Sequence, residues 1–379
     1  MRTRELVVDA RVPFADLRSA LLETEHKWRV RLEALFARAE FVLGSELAGF
    51  EADFAAAMRV SFAIGVSSGT SALELSLRAS KTGSGADEVI TTPFTAPFTA
   101  VAIAAAGYKP RFADVDAKTL LLDANDVGNR LSKSTSAVIP VHLYGQPYDV
   151  SGLSAVLKGR GIGLIQDACQ AHSVHAEGTP LADLSQFVAY SFYPTKNLGC
   201  LGDGGAIITN DSAAARRLRL MRDGGRGRHH ISLIAGTNAR LDEIQACFLR
   251  AFLPSLDGWN KRRRELARLY EQGLRDCTAV RIVPQRRGSV YHLFVIRVED
   301  RERLRSCLSG AGIGTAIHYP VPLNRHPAFR NPYAKRGDFP NAEKAGREVL
   351  SLPIRPQLSD DAVLYVAEKI REFYSSGPR

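Results

Sequence analysis

The sequence predicts an α/β protein with a doubly wound mixed sheet and a smaller second domain. Between about residue 55 and residue 250, short apolar runs alternate with stretches of helical periodicity, as in sheets whose strands are joined by helices. Two further runs, 293–298 and 316–319, indicate a small α+β region near the C-terminus. Because 379 residues suffice for two domains, we expect a large domain over residues 1–255 and a small domain over 256–379.

Short apolar runs supply the strands of the predicted large domain. Each run is bounded by polar residues, glycine or proline, as expected for buried strands. The candidates lie at 62–65, 89–90, 138–141, 163–165, 187–190 and 206–208.

The first of these runs is followed by a candidate phosphate-binding turn. Residues 66–73 read Val-Ser-Ser-Gly-Thr-Ser-Ala-Leu, and the spacing of Leu73 and Leu77 predicts a helix from Ser71 to Ala79. Small residues at a helix N-terminus leave backbone N–H groups free to bind phosphate, with support from the helix dipole. Taken alone, the same residues also fit an ordinary Ser or Thr helix cap.

Asp167 follows the apolar run 163–165 and therefore lies at the carboxyl end of a predicted strand. In open α/β sheets, ligands bind at that end of the strands. The alternative interpretation is that Asp167 caps a following helix.

Lys196 lies in the stretch Ser-Phe-Tyr-Pro-Thr-Lys-Asn-Leu, before the glycine-rich turn 199–205. Burial lowers the pKa of a lysine, and the neutral amine attacks carbonyls and forms Schiff bases with aldehyde cofactors. A lysine on an exposed loop is the alternative. A phosphate cradle, an aspartate and a reactive lysine together are what pyridoxal 5'-phosphate (PLP) requires, since an ionised aspartate keeps the pyridine nitrogen protonated.

In this order the three motifs resemble those of the DegT/DnrJ/EryC1/StrS family of PLP-dependent sugar aminotransferases. Similar blocks occur along nearly the whole chain, at 44–51, 66–73, 86–93, 140–145, 167–172, 191–198, 236–246, 318–320 and 350–353. The resemblance implies fold type I of the PLP enzymes, with the active site between the two domains and at a homodimer interface.

The resemblance also implies a role for each matching residue. Lys196 and Asp167 are the catalytic pair: Lys196 binds the cofactor and moves a proton, and Asp167 pairs with the pyridinium nitrogen. The remaining cofactor contacts are Gly69, Thr70 and Ser191 at the phosphate, Gln170 near the phenolic oxygen, and Asn238 at the phosphate of the partner subunit. His318 and Tyr319 are the candidate substrate residues.

One position departs from the family pattern. Ala96 occupies the place where most members carry an aromatic residue that stacks on the pyridine ring. If residues 94–98 are extended, Phe94, Ala96 and Phe98 lie on one side, and a neighbouring phenylalanine would substitute. A dehydratase branch of the family has histidine in place of the lysine, so Lys196 favours a transaminase.

Composition indicates a cytoplasmic protein without a bound metal. Hydrophobic residues make up 45% and charged residues 24% of the chain, and no apolar run approaches the roughly 20 residues of a membrane span. The first residues lack the pattern of a secretory signal. The cysteines have no metal-ligand spacing and are odd in number, as expected for free thiols in a reducing compartment.

The net charge of +10 raises the question of nucleic-acid binding. Basic clusters occur at 216–219, 222–230 and 261–264, but no nucleic-acid motif or aromatic interleaving accompanies them. The run 261–264 continues in a helical pattern through Leu266 and Leu269, which predicts a solvated helix face. We expect no nucleic-acid partner.

The expected reaction is the transfer of an amino group to a keto sugar in amino-sugar biosynthesis, for antibiotics or polysaccharides. By resemblance the donor is L-glutamate and the keto sugar is nucleotide-linked. A cyclitol ketone or another carbocycle is an alternative acceptor. A non-catalytic PLP-fold regulator is the third possibility, against which the intact Lys196, Asp167 and Gln170 argue.

Overall fold

The structure, a computed structural model, describes residues 11–80, 86–329 and 337–375. Its α-helices are α1 (Arg18–Glu23), α2 (Glu25–Arg38), α3 (Ser45–Met58), α4 (Gly69–Ala79), α5 (Phe98–Ala105), α6 (Ala124–Arg130), α7 (Val150–Leu157), α8 (Ser212–Met221), α9 (Glu243–Phe252), α10 (Leu256–Gly273), α11 (Arg301–Gly310), α12 (Pro340–Glu348) and α13 (Asp360–Ser375). Its strands are β1 (Phe62–Val66), β2 (Glu88–Thr91), β3 (Lys109–Phe112), β4 (Thr135–Ile139), β5 (Gly163–Asp167), β6 (His175–Ala176), β7 (Thr179–Pro180), β8 (Phe187–Ser191), β9 (Gly205–Thr209), β10 (Arg281–Ile282), β11 (Phe294–Arg297) and β12 (Val349–Leu352).

A seven-stranded mixed sheet in the order β1-β9-β8-β5-β4-β2-β3 forms the centre of the large part. β9 pairs antiparallel with both β1 and β8, whereas β8, β5, β4, β2 and β3 are parallel. The strands predicted from apolar runs are all present. Their interiors are almost continuously buried, as expected for strands covered by helices on both faces.

The helix after β1 begins two residues earlier than its periodicity predicts, at Gly69 instead of Ser71. Ser68 caps it: its side-chain oxygen accepts the N–H of Ser71 at 3.0 Å, and its carbonyl accepts that of Ala72. Leucine spacing marks the buried face of a helix but not the capping turn before it, which explains the difference.

The C-terminal part contains the three-stranded sheet β10-β11-β12, with α10, α11 and α13 packed against it. Val12 belongs to the same core and pairs with Ile313. Another core cluster combines Ile90 and Val138 of the large sheet with Val295 and Val349 of the small one. The two parts therefore share continuous apolar packing, and a domain boundary between residues 255 and 256 stays a prediction.

The prediction of a solvated face over residues 261–264 is wrong for Arg263. Lys261 is exposed, but Arg263 is buried on the inner face of α10. The reason is helical spacing, because Arg263 lies one turn from both Trp259 and Ala267, which are also buried. Among the described residues, no helix is long and apolar enough to cross a membrane.

The carboxylate of Glu243, at the start of α9, caps helix α3 across the fold. It accepts the backbone N–H groups of Gly44, Glu46 and Leu47 at 2.8, 2.8 and 2.9 Å, and Glu243 is fully buried. These N–H groups belong to the first turn of α3, where a helix has no internal acceptors. One negative charge therefore satisfies a buried helix end and interacts favourably with its dipole.

We expect Glu243→Gln to lower the thermal unfolding midpoint by at least about 3 °C, since an amide NH₂ would face backbone donors and leave one unsatisfied. Differential scanning calorimetry measures the shift. Glu33→Gln is the matched control: Glu33 is exposed on α2, and the same chemical change there should leave the midpoint within about 1 °C. Equal midpoints for both variants would show that the carboxylate does not stabilise α3.

Candidate active site

A cavity of about 490 Å³ lies at the carboxyl ends of β1, β5 and β8. The segments after these strands line it, together with residues 95–99 at the start of α5. All the cofactor residues predicted on a single chain meet there: Gly69, Thr70, Asp167, Gln170, Ser191 and Lys196. They come from distant parts of the sequence. They meet here because strands that run in the same direction end at the same edge of the sheet.

The turn between β1 and α4 is closely packed, and glycine is required at one position in it and at one position on the neighbouring strand β9. A Cβ atom at Gly69 would lie 2.7 Å from Ser191 Cβ and 2.8 Å from Cys169 Sγ. At Gly205 a Cβ would lie 2.4 Å from the carbonyl carbon of Ser68. The first turn of α4 therefore lies directly against β8 and β9, and its N-terminus is open to the cavity.

Asp167 is buried at the end of β5, and two groups hold its carboxylate in place. The Thr99 hydroxyl donates to Oδ2 at 2.8 Å, and the backbone N–H of Cys169 donates to Oδ1 at 3.1 Å. Thr99 lies on α5, which also lines the cavity. The two donors bind different oxygens and therefore fix the orientation of the carboxyl group.

Lys196 follows β8 in a tight turn, and its backbone N–H donates to the Tyr193 carbonyl at 2.8 Å. Burial lowers the pKa of its amine, while Cys169 and Asp167 act in the opposite direction. Burial also lowers the pKa of nearby His172 to about 3 and that of His318 to about 4, with the positive charge of Lys196 adding to both shifts. These imidazoles are therefore neutral, and burial shifts the Lys196 amine toward its nucleophilic form without fixing its charge.

Gln170 is oriented by hydrogen bonds to both parts of the molecule. Its Oε1 accepts the backbone N–H of Tyr144 at 2.8 Å, and its Nε2 donates to the Tyr319 hydroxyl at 3.1 Å. Of the two candidate substrate residues, Tyr319 thus contacts a cavity residue. His318 lines a neighbouring cavity that also reaches Lys196, and its Nδ1 lies 2.9 Å from Ser351 Oγ.

The expectation that Phe94, Ala96 and Phe98 share one side of an extended segment is wrong. The chain bends at 93–95 and enters α5 at Phe98, immediately after Pro97. Phe94 is fully buried in the core, where its ring meets Tyr319 edge-on. Phe98 lines the cavity beside Ala96 and is 60% exposed. Phe98 is thus the phenylalanine of this segment that a bound ring can reach.

Asn238 does not line the cavity of its own chain. It is exposed on the segment between α8 and α9, where its backbone forms an antiparallel β-bridge with that of Asp223. This location leaves Asn238 available to a second subunit.

Sequence reasoning missed Thr99, Tyr193 and Asp203, which all line the cavity. Thr99 could not be recognised because it lies 68 residues before the aspartate it contacts. Tyr193 lies within the lysine motif and Asp203 in the glycine-rich turn after it, and that proximity in sequence was the available signal.

Comparison with known proteins agrees with this geometry. The family model described as the DegT/DnrJ/EryC1/StrS aminotransferase family matches residues 24–371. A dTDP-3-amino-3,4,6-trideoxy-α-D-glucose transaminase of Streptomyces venezuelae is 40% identical over 365 residues, which cover 96% of each chain. A pleiotropic regulatory protein of Geobacillus stearothermophilus is also 40% identical, over 96% of this chain and 98% of its own.

A solved structure resembles this chain in both fold and sequence. The crystal structure of S. venezuelae DesV matches with a TM-score of 0.92 and 39% identity, covering 96% of this chain and 98% of the other. The match of the family model over nearly the full length, together with the cavity that unites Lys196 and Asp167, identifies the chain as a member of the DegT/DnrJ/EryC1/StrS aminotransferase family and thus a PLP-dependent aminotransferase.

Proposed function

We propose that the enzyme transfers an amino group from L-glutamate to a keto sugar carried on a nucleotide, in the biosynthesis of an amino sugar. The observation that carries this proposal is the cavity in which Lys196 and Asp167 meet the N-terminus of α4. Relatives of nearly full length support the acceptor class, among them the dTDP-sugar transaminase of S. venezuelae and a UDP-N-acetyl-3-dehydro-α-D-glucosamine aminotransferase of Acidithiobacillus ferrooxidans, 35% identical.

The residues of the cavity fit PLP. The N-terminus of α4 offers backbone N–H groups and dipole charge to a phosphate, and the Thr70 and Ser191 hydroxyls lie beside it. The absence of a side chain at Gly69 lets this turn lie directly against Ser191, since a Cβ there would be 2.7 Å from Ser191 Cβ. Asp167 supplies a buried carboxylate with fixed orientation for a protonated ring nitrogen, and Lys196 supplies the amine. We assign these residues, with Gln170, to cofactor binding.

Bound PLP supplies a carbonyl that condenses with amines and a ring that accepts the electron pair released when a Cα–H bond breaks. The protein supplies the proton transfers. Lys196 Nζ, whose pKa is lowered by burial, takes the proton from the Cα of the amino donor and returns a proton to the acceptor carbon in the second half of the reaction. Thr99 and the Cys169 N–H hold the Asp167 carboxyl group in one orientation at the cavity wall throughout.

Two alternatives remain distinct from this proposal. A carbocyclic acceptor is favoured by the similarity to 3-amino-5-hydroxybenzoic acid synthase, at 26% identity and a TM-score of 0.86. The S. venezuelae transaminase is closer in sequence, which favours the nucleotide sugar. A regulatory role is suggested by the name of the G. stearothermophilus relative, a pleiotropic regulatory protein, but that name applies to the relative alone. Here, the buried lysine and the oriented aspartate are retained, which a purely regulatory role does not require.

We further propose that the enzyme is a homodimer whose partner subunit completes each site. Phe98 and Tyr193 line the cavity and are 60% and 53% exposed, so the cavity mouth presents aromatic side chains of the kind enriched at protein interfaces. Asn238 is exposed and lies outside its own cavity. A second subunit that covers the cavity mouth and contributes Asn238 to the phosphate would account for both observations.

We assign the enzyme to the cytoplasm. Its cysteines Cys169, Cys200, Cys247, Cys277 and Cys307 are all free thiols. Free thiols are typical of reducing compartments.

The donor half-reaction tests the proposed function. Purified protein with PLP should show a visible absorption band that decreases on addition of L-glutamate, whereas Lys196→Ala should lack the band or leave it unchanged. The acceptor is tested by adding dTDP- and UDP-linked keto sugars to the glutamate-treated enzyme, which should restore the band. A wild-type spectrum that glutamate does not alter would exclude L-glutamate as donor, and restoration by a free carbocyclic ketone alone would favour the alternative acceptor.

Thr99→Val should weaken PLP binding by roughly tenfold, because it removes one donor to a buried carboxylate while preserving the shape of the side chain. Titration of the apoprotein with PLP, followed by absorbance, measures the dissociation constant without reference to turnover. Thr99→Ser retains the hydroxyl and serves as the control that should bind nearly as the wild type does. Unchanged affinity in Thr99→Val would contradict the assigned role.

A mixed dimer tests whether Asn238 acts across the subunit interface. Chains with Lys196→Ala and chains with Asn238→Ala, carrying different tags, are coexpressed and the mixed species is purified. If Asn238 serves the partner, one of the two sites is complete and the mixed dimer retains about half of the wild-type activity. If Asn238 serves its own chain, or if the protein is a monomer, no activity is recovered above that of the separate variants.

A further inference from the structure

The segment 316–323 connects the three-stranded sheet of the C-terminal part to the active-site cavity. At one end, Ala316 exchanges backbone hydrogen bonds with Ser351 of β12, at 3.2 and 2.8 Å. At the other end, the Leu323 N–H donates to the Pro93 carbonyl at 2.8 Å, just before residues 95–99, which line the cavity. The segment is thus anchored in both parts of the molecule.

Tyr319 lies between these two anchors, and its side chain is held by groups of the large part. Gln170 Nε2 donates to the Tyr319 hydroxyl at 3.1 Å, and the backbone N–H of Ala96 faces the same oxygen. The ring meets that of Phe94 edge-on, with centroids 6.3 Å apart. The hydroxyl is therefore fixed at a defined point beside Gln170, which itself lines the cavity.

Tyr144 determines which end of the Gln170 amide faces which partner. Its backbone N–H donates to Gln170 Oε1 at 2.8 Å. A flipped amide would point its NH₂ group at this N–H, so two buried donors would oppose each other. The Tyr144 hydroxyl also donates to the His318 carbonyl, which joins the same loop to the residue before Tyr319.

These contacts leave one polar group of Gln170 for a ligand. A glutamine amide has one oxygen and two N–H donors. Tyr144 uses the oxygen, the Tyr319 hydroxyl uses one N–H, and no residue in the described part of the chain accepts the second N–H. Gln170 is 4% exposed and lies on the cavity wall. A ligand there would therefore meet a hydrogen-bond donor, and that buried donor requires an acceptor.

We propose that Tyr319 is a positioning residue for the cofactor: its hydroxyl holds Gln170 Nε2 in place, so that the remaining N–H donates to the phenolic oxygen of PLP. The inference rests on the proposed function, in that it takes Gln170 to lie beside that oxygen. Tyr319 acts through Gln170 and not by contact with the substrate. Because the segment 316–323 is anchored on β12, the packing of the C-terminal part thereby sets the strength of one cofactor contact.

Tyr319→Phe tests the proposal, because it removes the hydroxyl and keeps the ring that packs on Phe94. Titration of the apoprotein with PLP should give a dissociation constant about threefold to tenfold higher than that of the wild type. In the PLP-loaded enzyme, the pH midpoint at which the visible band changes should rise by about 0.5 pH unit. A weaker hydrogen bond leaves more negative charge on the phenolic oxygen, and this charge favours the protonated form of the Lys196 nitrogen bonded to the cofactor.

The other groups that face the Lys196 amine are retained in this variant, so the pH midpoint reports on the phenolic oxygen. In the described structure these groups are Asp167, Cys169, His172, His292 and His318.

Tyr365→Phe is the matched control. It removes a hydroxyl that donates to the Ala311 carbonyl at 3.1 Å, on α13 and outside the active-site cavity. It should leave both the dissociation constant of PLP and the pH midpoint unchanged.

A double-mutant cycle separates the positioning role from a purely structural effect. Gln170→Ala removes the amide through which Tyr319 is proposed to act. In this background Tyr319→Phe should change the dissociation constant by less than about twofold and leave the pH midpoint where it is. Equal effects of Tyr319→Phe in both backgrounds, or no effect in the wild-type background, would overturn the proposal.

Failure of this inference is distinguishable from failure of the proposed function, because neither readout uses a substrate. If the wild type reacts with L-glutamate but Tyr319→Phe matches it in both readouts, the positioning role is wrong and the function stands. If L-glutamate does not react but the pH midpoint depends on Tyr319 through Gln170, the positioning role stands and the donor is another amine.

Discussion

The burial of the Lys196 amine is the constraint on which the rest of the site depends. An ammonium ion is strongly disfavoured away from water, so the surroundings of Lys196 shift it toward the neutral, nucleophilic form. The imidazoles near it are kept uncharged by the same burial, as the lowered pKa of His172 and His318 shows. Asp167 lies on the wall of the larger cavity, where two hydrogen bonds hold its carboxyl group in place. Protein packing therefore creates the reactivity, and the glycine-rich turns make that packing sterically allowed.

The position of Lys196 is fixed through its neighbour Asn197, which joins the two parts of the molecule. Asn197 Nδ2 donates to Asn260 Oδ1 on α10 at 2.8 Å and to the Val290 carbonyl at 3.0 Å, and its Oδ1 lies 3.2 Å from His292 Nδ1. Gly199 completes the turn, since a Cβ there would lie 2.5 Å from the Pro194 carbonyl oxygen. A movement of the C-terminal part would thus be transmitted to the lysine through a buried amide, which links packing far from the cavity to the chemistry within it.

The sequence predicts those features that depend on local signals. The strands, the turn at Gly69, the location of Asp167 at a strand end and the lysine motif each follow from a few consecutive residues, and all are present in the structure. Interactions between distant residues left no local signal. The bond from Thr99 to Asp167 joins two segments whose proximity depends on the strand order. Arg263 was taken for a solvated residue because its neighbours are charged, although helical spacing places it inside. The bend at residues 93–95 separates Phe94 from Phe98 in a way that alternation along a strand does not anticipate.

An aminotransferase must present one nitrogen-transfer centre in turn to two substrates that differ in size and charge. In this chain that centre is the cavity of about 490 Å³ in which Lys196 and Asp167 meet the N-terminus of α4. Because both substrates react beside the same lysine, the contacts that fix the lysine turn, from Asn197 to Asn260 and at the close approach of Gly199 to Pro194, serve both half-reactions. A change that loosens this turn should therefore slow both halves of the reaction together.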